Sequence, residues 1–486
     1  MKIYSECKDY TLYSGNMLEV LDTMNENSIG AIVTDPPYEL GFMGKSWDSS
    51  GIAFQKETWE KCLRVLKPGG YLLAFGGSRT FHRIACAIED AGFEIRDTIM
   101  YLYGTGFPKS MNIGLAVDKK NGVDSPIVGQ REDILKKQAK DIREGHRKIL
   151  DSFNAGANER NNGFVNVTAD IKQAQNRYRG WGTQLKPSYE PVIVARKPCE
   201  GSCVDNVIKY GVGGINIDEC RIGYESGGTA ASNPLLRLKN NYRTPQTSKI
   251  ENNSFDYVDE RTGFSTSKNE INESGRFPSN VILSYDDETY DEVCGGFPDS
   301  DGCKPHKIYS NTEKYDGYGS ITKKSGEMVG YSDSGGSASR YFYCAKASSK
   351  DRDEGLDYFE KKTSGELTER KDGSAGISAF AGSRCPKSNF HPTVKPVDLM
   401  QYLVRLVTPK GETVLDPFMG SGSTGKAVMF ENRERDANYK FIGVELTEEY
   451  LPICEARIEY ARDKYKYDIV EDENGNKTEM KKEELF

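Results

Sequence analysis

Residues 413–427, Thr-Val-Leu-Asp-Pro-Phe-Met-Gly-Ser-Gly-Ser-Thr-Gly-Lys-Ala, constrain the fold more than any other stretch of this chain. A short β-branched run ends on an acid, a glycine-rich turn follows, and a helix-forming run begins. Such a turn sits at the carboxyl end of a parallel strand and aims free backbone N–H groups at a ligand. Two ligand classes compete with a purely structural turn. Gly420 to Lys426 has the spacing of a phosphate loop, G-x-x-x-x-G-K, but that loop needs Ser or Thr next to hold magnesium, and the next residue is Ala427. The alternative is a nucleoside cofactor lying over the strand ends. Asp416 at the strand tip would meet its amino-acid part, and Glu445, closing the following strand, suits a pair of ribose hydroxyls.

A second strand end carries its own chemistry. Ile29–Thr34 (IGAIVT) reads as a buried strand and runs into Asp35-Pro36-Pro37-Tyr38. Two prolines stiffen the backbone and remove two donors while leaving their carbonyls free. Asp35 and the Pro36 carbonyl form a rigid pair of acceptors, and Tyr38 adds a flat aromatic face. That set fits a planar ring bearing an amino group. The plainer reading is a stiff turn with a surface tyrosine.

The spacing predicts helices over 58–66, 81–91, 398–407 and about 448–465, and strands over 71–75, 98–103, 413–415 and 441–445. Strands alternating with helices at both ends indicate a parallel α/β sheet. The middle, about 107–385, is rich in Gly, Ser, Asn and Tyr, with short strands at 192–195, 280–283 and 341–344. Each end is too small to stand comfortably alone, so the two ends are expected to form one sheet around a long insert. The final twenty residues are charged and read as frayed.

Net charge is −8, from 65 Lys+Arg and 73 Asp+Glu. Taken whole, that argues against phosphate-rich partners. By segment it does not. Residues 1–118 carry −4, 119–197 carry +7, 198–430 carry −5 and 431–486 carry −6. The basic stretch includes 131–150, whose mixed charge at helical spacing also suits a solvated surface helix. No apolar run approaches the ~18 residues of a membrane span, and the N-terminus lacks a signal-peptide pattern. Eleven scattered cysteines read as reduced thiols of a cytoplasmic protein. Cys199/Cys203 and Cys294/Cys303 lack the second pair or histidine that a zinc site needs, so no metal is expected.

Together these residues resemble the S-adenosylmethionine (SAM)-dependent amino-group DNA methyltransferases, of the permuted β type in which the Asp-Pro-Pro-Tyr half precedes the cofactor loop. The resemblance rests on LYSGN, IVTDPPY, LRVLKPGGYLLAFGG, HPTVKP, TVLDPFMGSGSTGKA and FIGVEL. It is closest to bacterial and phage members carrying FMGKSWD, FGGSRTFHR, GTGFPKS and LKPSYEPVIVARKP. It implies a Rossmann-like, mostly parallel, circularly permuted sheet with a reversed hairpin, here 98–103 with 191–196, and a large inserted target-recognition region. The implied organisation is a catalytic half over 1–118, a basic insert over 119–190, a returning strand over 191–198, target recognition over 199–385, a SAM-binding half over 386–465 and a charged tail over 466–486. It further implies that Asp416, Phe418, Gly420, Ser421, Gly422 and Glu445 hold SAM with Glu445 on the ribose. His391-Pro-Thr-Val-Lys395-Pro396 would wrap the methionine end, and Asp35 through Tyr38 would hold the target base. Asn16 stands where relatives usually carry Asp near the adenine ring.

The implied activity is methylation of the exocyclic N6 of a flipped-out adenine in double-stranded DNA. Asp in the tetrapeptide favours adenine, with cytosine-N4 as the alternative. RNA or protein amide substrates, which more often go with Asn-Pro-Pro-Tyr, and a non-catalytic SAM- or DNA-binding role are the further alternatives. Lys136, Lys137, Arg143, Arg177, Arg179 and Lys186 are expected at phosphates, and Arg221, Arg237, Arg243 and Arg340 near bases. Phe107 and Trp47 are candidate pocket walls, although core positions suit them better. His82 and His391 read as structural. A separate restriction endonuclease is a possible partner, an orphan or phage role is equally compatible, and the chain is expected to act as a monomer or homodimer.

Overall fold

The computed structural model describes residues 2–40, 46–103, 110–130, 170–222, 275–285, 297, 342–346, 349–361, 388–463, 467–471 and 477–481, and short strands at 258–259, 264–265, 299–300, 306–307, 328–329 and 336–337. The chain forms two compact units, one of residues 1–104, 189–351 and 395–486, the other of 105–188 and 352–394.

The first unit is built on a ten-stranded sheet. In chain order its strands are β1 (Lys2–Glu6), β2 (Tyr10–Ser14), β3 (Ile29–Thr34), β4 (Leu66–Phe75), β5 (Glu94–Tyr103), β6 (Tyr189–Arg196), β7 (Val281–Tyr285), β8 (Tyr343–Lys346), β9 (Thr413–Asp416) and β10 (Lys440–Glu445). They lie in the order β1-β2-β10-β9-β3-β4-β6-β5-β7-β8. The two ends of the chain meet inside this sheet, where β9 pairs parallel to β3. β6 runs antiparallel between β4 and β5, so the expected reversed hairpin is present.

β3 is buried along its whole length, as a near-continuous apolar run between two parallel neighbours requires. Helices α1 (Met17–Asp22), α2 (Lys56–Val65), α3 (Phe81–Asp90), α4 (Val397–Val407), α5 (Ser423–Arg435) and α6 (Leu451–Arg462) accompany the sheet. The main core joins Ile32, Leu72, Ile193, Leu415 and Val444 of the strands to Trp59, Cys62 and Val65 of α2 and Ile84 and Ile88 of α3.

Three expectations change. The outer strands β7 and β8 come from the segment assigned to target recognition, yet both continue the sheet in parallel from β5. β7 pairs the outer side of β5, which would otherwise be an open hydrogen-bonding edge, and β8 pairs β7 in turn. The charged tail contains an antiparallel pair, Tyr467–Glu471 with Lys477–Lys481. The sequence between these strands holds Asn474-Gly475, a hairpin signal that the charge count obscured. The last long helix is shorter than expected, with a 3-10 turn at Glu448–Tyr450 and α6 starting at Leu451, one residue before Pro452.

The second unit contains a helix, Ile113–Lys120, capped by the Asn112 side chain, and an antiparallel pair, Ile127–Gln130 with Asp170–Lys172. Buried Asp118 accepts from the Gln175 N–H at 2.8 Å and from Ser125 Oγ at 2.9 Å, which holds its carboxyl below the ordinary value.

Candidate active site

β3 and β9 are neighbours, and the chain leaves them towards opposite sides of the sheet. That makes the space beyond their carboxyl ends a topological switch point, where open α/β sheets bind ligands. Asp35 follows one strand and Asp416 ends the other. Thr34 Oγ1 donates to Asp416 Oδ1 at 2.7 Å and ties the two ends together. Asp416 also accepts from the Phe418 N–H at 3.1 Å and from Thr424 Oγ1 at 2.6 Å. These partners lie in the adjoining strand, the turn and the first turn of α5, so the side chain shapes the loop from beneath. Burial pushes its pKa up to about 6 against the pull of these donors, and nearby Asp35 adds to the rise.

The loop itself requires glycine. Gly420 and Gly422 have φ of 56° and 75°, in the left-handed region. A Cβ on Gly422 would stand 3.0 Å from the Cys454 Cα. The Gly420 N–H donates to Glu445 Oε2 at 2.8 Å, and the Thr447 N–H donates to Oε1 at 2.7 Å. Glu445 is only 7% exposed, and burial pushes its pKa up to about 7 despite the two N–H donors.

Below the turn, Arg457 of α6 is fully buried and donates to the Ser421 carbonyl at 2.5 Å, Ser421 Oγ at 3.0 Å and Ser423 Oγ at 3.2 Å. Lys426 is also fully buried and pairs with Asp351 at 3.1 Å. Its ammonium therefore faces the protein, a second reason, beside Ala427, against a phosphate loop. Phe418 is half-buried, its ring 6.4 Å from that of Trp59. Asn16 caps α1, accepting from the Leu18 N–H at 3.0 Å. The adjacent Gly15 N–H donates to the Glu445 carbonyl at 3.0 Å, which brings Asn16 to the same strand edge.

Beside this loop the Asp-Pro-Pro-Tyr segment forms an ionic cluster. Lys395 Nζ lies 2.6 Å from Asp35 Oδ2, 3.3 Å from Glu190 Oε2 and 3.2 Å from the Tyr38 hydroxyl. The Tyr38 hydroxyl donates to Glu190 Oε2 at 3.2 Å. The ammonium also lies 4.8 Å from the centre of the Phe75 ring. Burial pulls the Lys395 pKa down, but the two carboxylates outweigh it and hold the lysine charged. Burial, then Asp35 and Glu190, hold the Tyr38 phenol well above its usual value. Asp35 Oδ1 is buried and has no hydrogen-bond partner among the described residues. The next turn is braced by the FMGKSWD motif, whose Asp48 accepts from the N–H groups of Glu39 and Leu40 at 3.0 and 3.2 Å.

Lys395 thus stands on the tetrapeptide, although the resemblance assigns it to the methionine end of the cofactor. A buried ammonium needs a counter-charge, and Asp35 supplies it. Pro396 is the N-cap of α4. Sequence reading missed Glu190, Asp351 and Arg457. Glu190 lay in plain view within LKPSYEP, but nothing local indicated what it faces.

Among the expected DNA contacts, Arg177, Arg179 and Lys186 are exposed, and the Arg177 guanidinium lies 4.9 Å from the centre of the Tyr178 ring. Lys136, Lys137, Arg143, Arg237, Arg243, Arg340, Phe107 and the Trp47 side chain lie outside the described residues. Arg221 pairs with Asp218 at 3.0 Å. His82 is exposed, and His391 Nδ1 meets the Thr393 carbonyl at 2.5 Å. Cys199 and Cys203 are free thiols 3.8 Å apart, whereas Cys294 and Cys303 lie outside the described residues. Among the described residues no group of three or more His, Cys, Asp or Glu is arranged to hold a metal, and no helix is long and apolar enough to cross a membrane.

Residues 29–456 match the family model described as DNA methylase, of the N6/N4 amino-methyltransferases. The chain belongs to this family of amino-group DNA methyltransferases, which use SAM. It is similar to the type II methyltransferase M.HpaI of Haemophilus parainfluenzae, 35% identical over 108 residues, or 21% of this chain and 34% of that protein. It is also similar to the DNA adenine methyltransferase YhdJ of Escherichia coli K12, 37% identical over 71 residues, or 15% and 22% of the two chains. The matched stretch is thus about a third of the first relative's length. The solved PvuII DNA methyltransferase (cytosine-N4-specific) aligns over 96% of this chain and 95% of its own, at 13% identity and a TM-score of 0.37.

The residues present fit the family's cofactor. The Glu445 carboxylate uses two backbone donors and keeps lone pairs for two hydroxyls.

Proposed function

We propose that this protein is a site-specific, SAM-dependent DNA adenine-N6 methyltransferase of the cytoplasm, in which Asp35, Pro36, Pro37 and Tyr38 hold the target base. The observation that carries the reading is the buried, unpartnered Asp35 Oδ1 beside the glycine loop, at the switch point of the sheet.

SAM when bound supplies an electrophilic methyl group. The chain's own task is to prepare the amine. An exocyclic ring amine is a weak nucleophile because its lone pair is delocalised into the ring. Hydrogen bonds from its two N–H groups to Asp35 Oδ1 and the Pro36 carbonyl favour tetrahedral nitrogen and localise that lone pair. The gain comes from positioning and electrostatics. Tyr38, tied at its hydroxyl by Lys395 and Glu190, offers a ring for stacking. The base leaves the duplex first, at a cost of about a few kcal/mol. Phe418, Gly420, Ser421, Gly422, Glu445, Asn16 and Pro396 border the cofactor, and Asp416 holds the loop in shape. Incubation with unmethylated DNA and labelled SAM, followed by mapping of modified bases, should show N6-methyladenine at a recurring site. N4-methylcytosine alone would replace adenine with cytosine as the substrate, and label only in RNA or protein would sink the DNA reading.

Glu445 makes cofactor binding pH-dependent. Its folded pKa, about 7, stands above the usual carboxylate value. The folded chain therefore keeps a proton that the unfolded chain releases. The stability this adds is fully present below the unfolded value and is lost as pH rises through about 7. Ribose hydroxyls need the ionised form, so SAM affinity moves the other way. Calorimetric titration should show SAM binding roughly tenfold weaker at pH 6 than at pH 8, and Glu445→Gln should flatten that dependence. A pH-independent wild-type Kd would remove Glu445 from the ribose.

Arg177, Arg179 and Lys186 are the described candidates for phosphate contact. Replacing all three by Gln should weaken binding to any duplex and reduce the slope of log K against log salt by roughly 2–3 units, at about 0.9 per lost contact. An unchanged slope would make them solvated charges only.

A further inference from the structure

Glu190 reaches the site because β6 is reversed. Val192 pairs with Phe75 at the carboxyl end of β4, so the start of β6 projects past the edge at which the parallel strands end. Two residues earlier stands Glu190, on the same edge as Asp35.

Lys395 donates to Asp35 Oδ2 at 2.6 Å and to the Tyr38 hydroxyl at 3.2 Å, and its ammonium pairs with Glu190 Oε2 at 3.3 Å. Asp35 Oδ1 stays buried and has no hydrogen-bond partner among the described residues. Without the Glu190 charge, the lysine is balanced by one carboxylate instead of two and is drawn towards Asp35. The other charged or titratable neighbours are Asp416 across the switch point, which feels the Asp35 charge, and Tyr103, which hydrogen-bonds Glu190.

We infer that Glu190 is a positioning residue for methyl transfer. By sharing the Lys395 ammonium it keeps Asp35 Oδ1 free for the target amine, and it fixes the Tyr38 ring through its hydroxyl. This rests on the DNA methyltransferase reading above.

The test uses the full chain with Glu190→Gln, Glu190→Asp and wild type, measuring SAM affinity, duplex affinity and single-turnover methyl transfer. In Glu190→Gln, both affinities should stay within about twofold while the transfer rate falls roughly ten- to hundredfold, the scale of a misplaced reacting group. Glu190→Asp should restore part of the rate. An unchanged rate in Glu190→Gln overturns the inference alone. A slower enzyme whose SAM and duplex affinities fall with the rate, and which Glu190→Asp does not rescue, also overturns it, since Glu190 is then merely structural. A wild-type chain that binds SAM but methylates no DNA overturns the functional reading and this inference with it.

Discussion

Asp35→Ala should lower the single-turnover rate of methyl transfer by roughly 10²–10³-fold, the scale for removing one hydrogen-bonding group aimed at developing charge. SAM affinity should change little, because Glu445 and the glycine loop stand on other strands. The protein should remain folded. Lys395 loses one partner in this variant but keeps Glu190 at 3.3 Å, so no buried charge is stranded. Asp35→Asn makes a sharper test. Lys395 is a donor, so the amide must turn its oxygen to the lysine and its NH2 towards the target amine. Donor then faces donor, and Asn should be no better than Ala despite its near-identical shape. Rates and SAM affinities of both variants check this, and an Asn variant near wild-type activity would mean that Asp35 Oδ1 does not receive the amine.

Arg457→Met should cost about 3–5 kcal/mol of stability, the penalty for breaking a buried charged network from one side. The guanidinium bonds the Ser421 carbonyl and the hydroxyls of Ser421 and Ser423, and it reaches the Asp351 carbonyl at 3.2 Å. Methionine fills a similar volume but leaves these acceptors buried without a donor. The loop they hold is the one that carries Gly420 and Gly422, so SAM affinity should fall with stability. Arg457→Lys keeps the charge but lacks the planar fork that serves loop and helix together, and it should be intermediate. Chemical denaturation and SAM titration measure the two effects. Met at wild-type stability with full affinity would show that the glycine turn holds its own shape.

Much of the candidate site was legible in the amino-acid sequence. Ile29–Thr34, the glycine turn and the acids at 35, 416 and 445 are read from runs of a few residues, because strand burial and tight turns leave local marks. The same local reading overlooked the strands at 2–6 and 10–14. It also placed Val281–Tyr285 in a recognition region, because a short apolar run does not say which edge it will cover.

The amino-acid sequence by itself determined where strands end in carboxylates and where only glycine fits the turn, since these depend on steric and packing preferences within about ten residues. Tertiary structure alone decided what those carboxylates face. The partner of Asp35 lies 360 positions away, at Lys395, the second carboxylate on that lysine is Glu190, and Arg457 grips the loop 36 residues before it. Burying a charge is costly unless an opposite one meets it. Which opposite charge arrives depends on strand order and direction, above all on the reversed β6, and no local pattern encodes that.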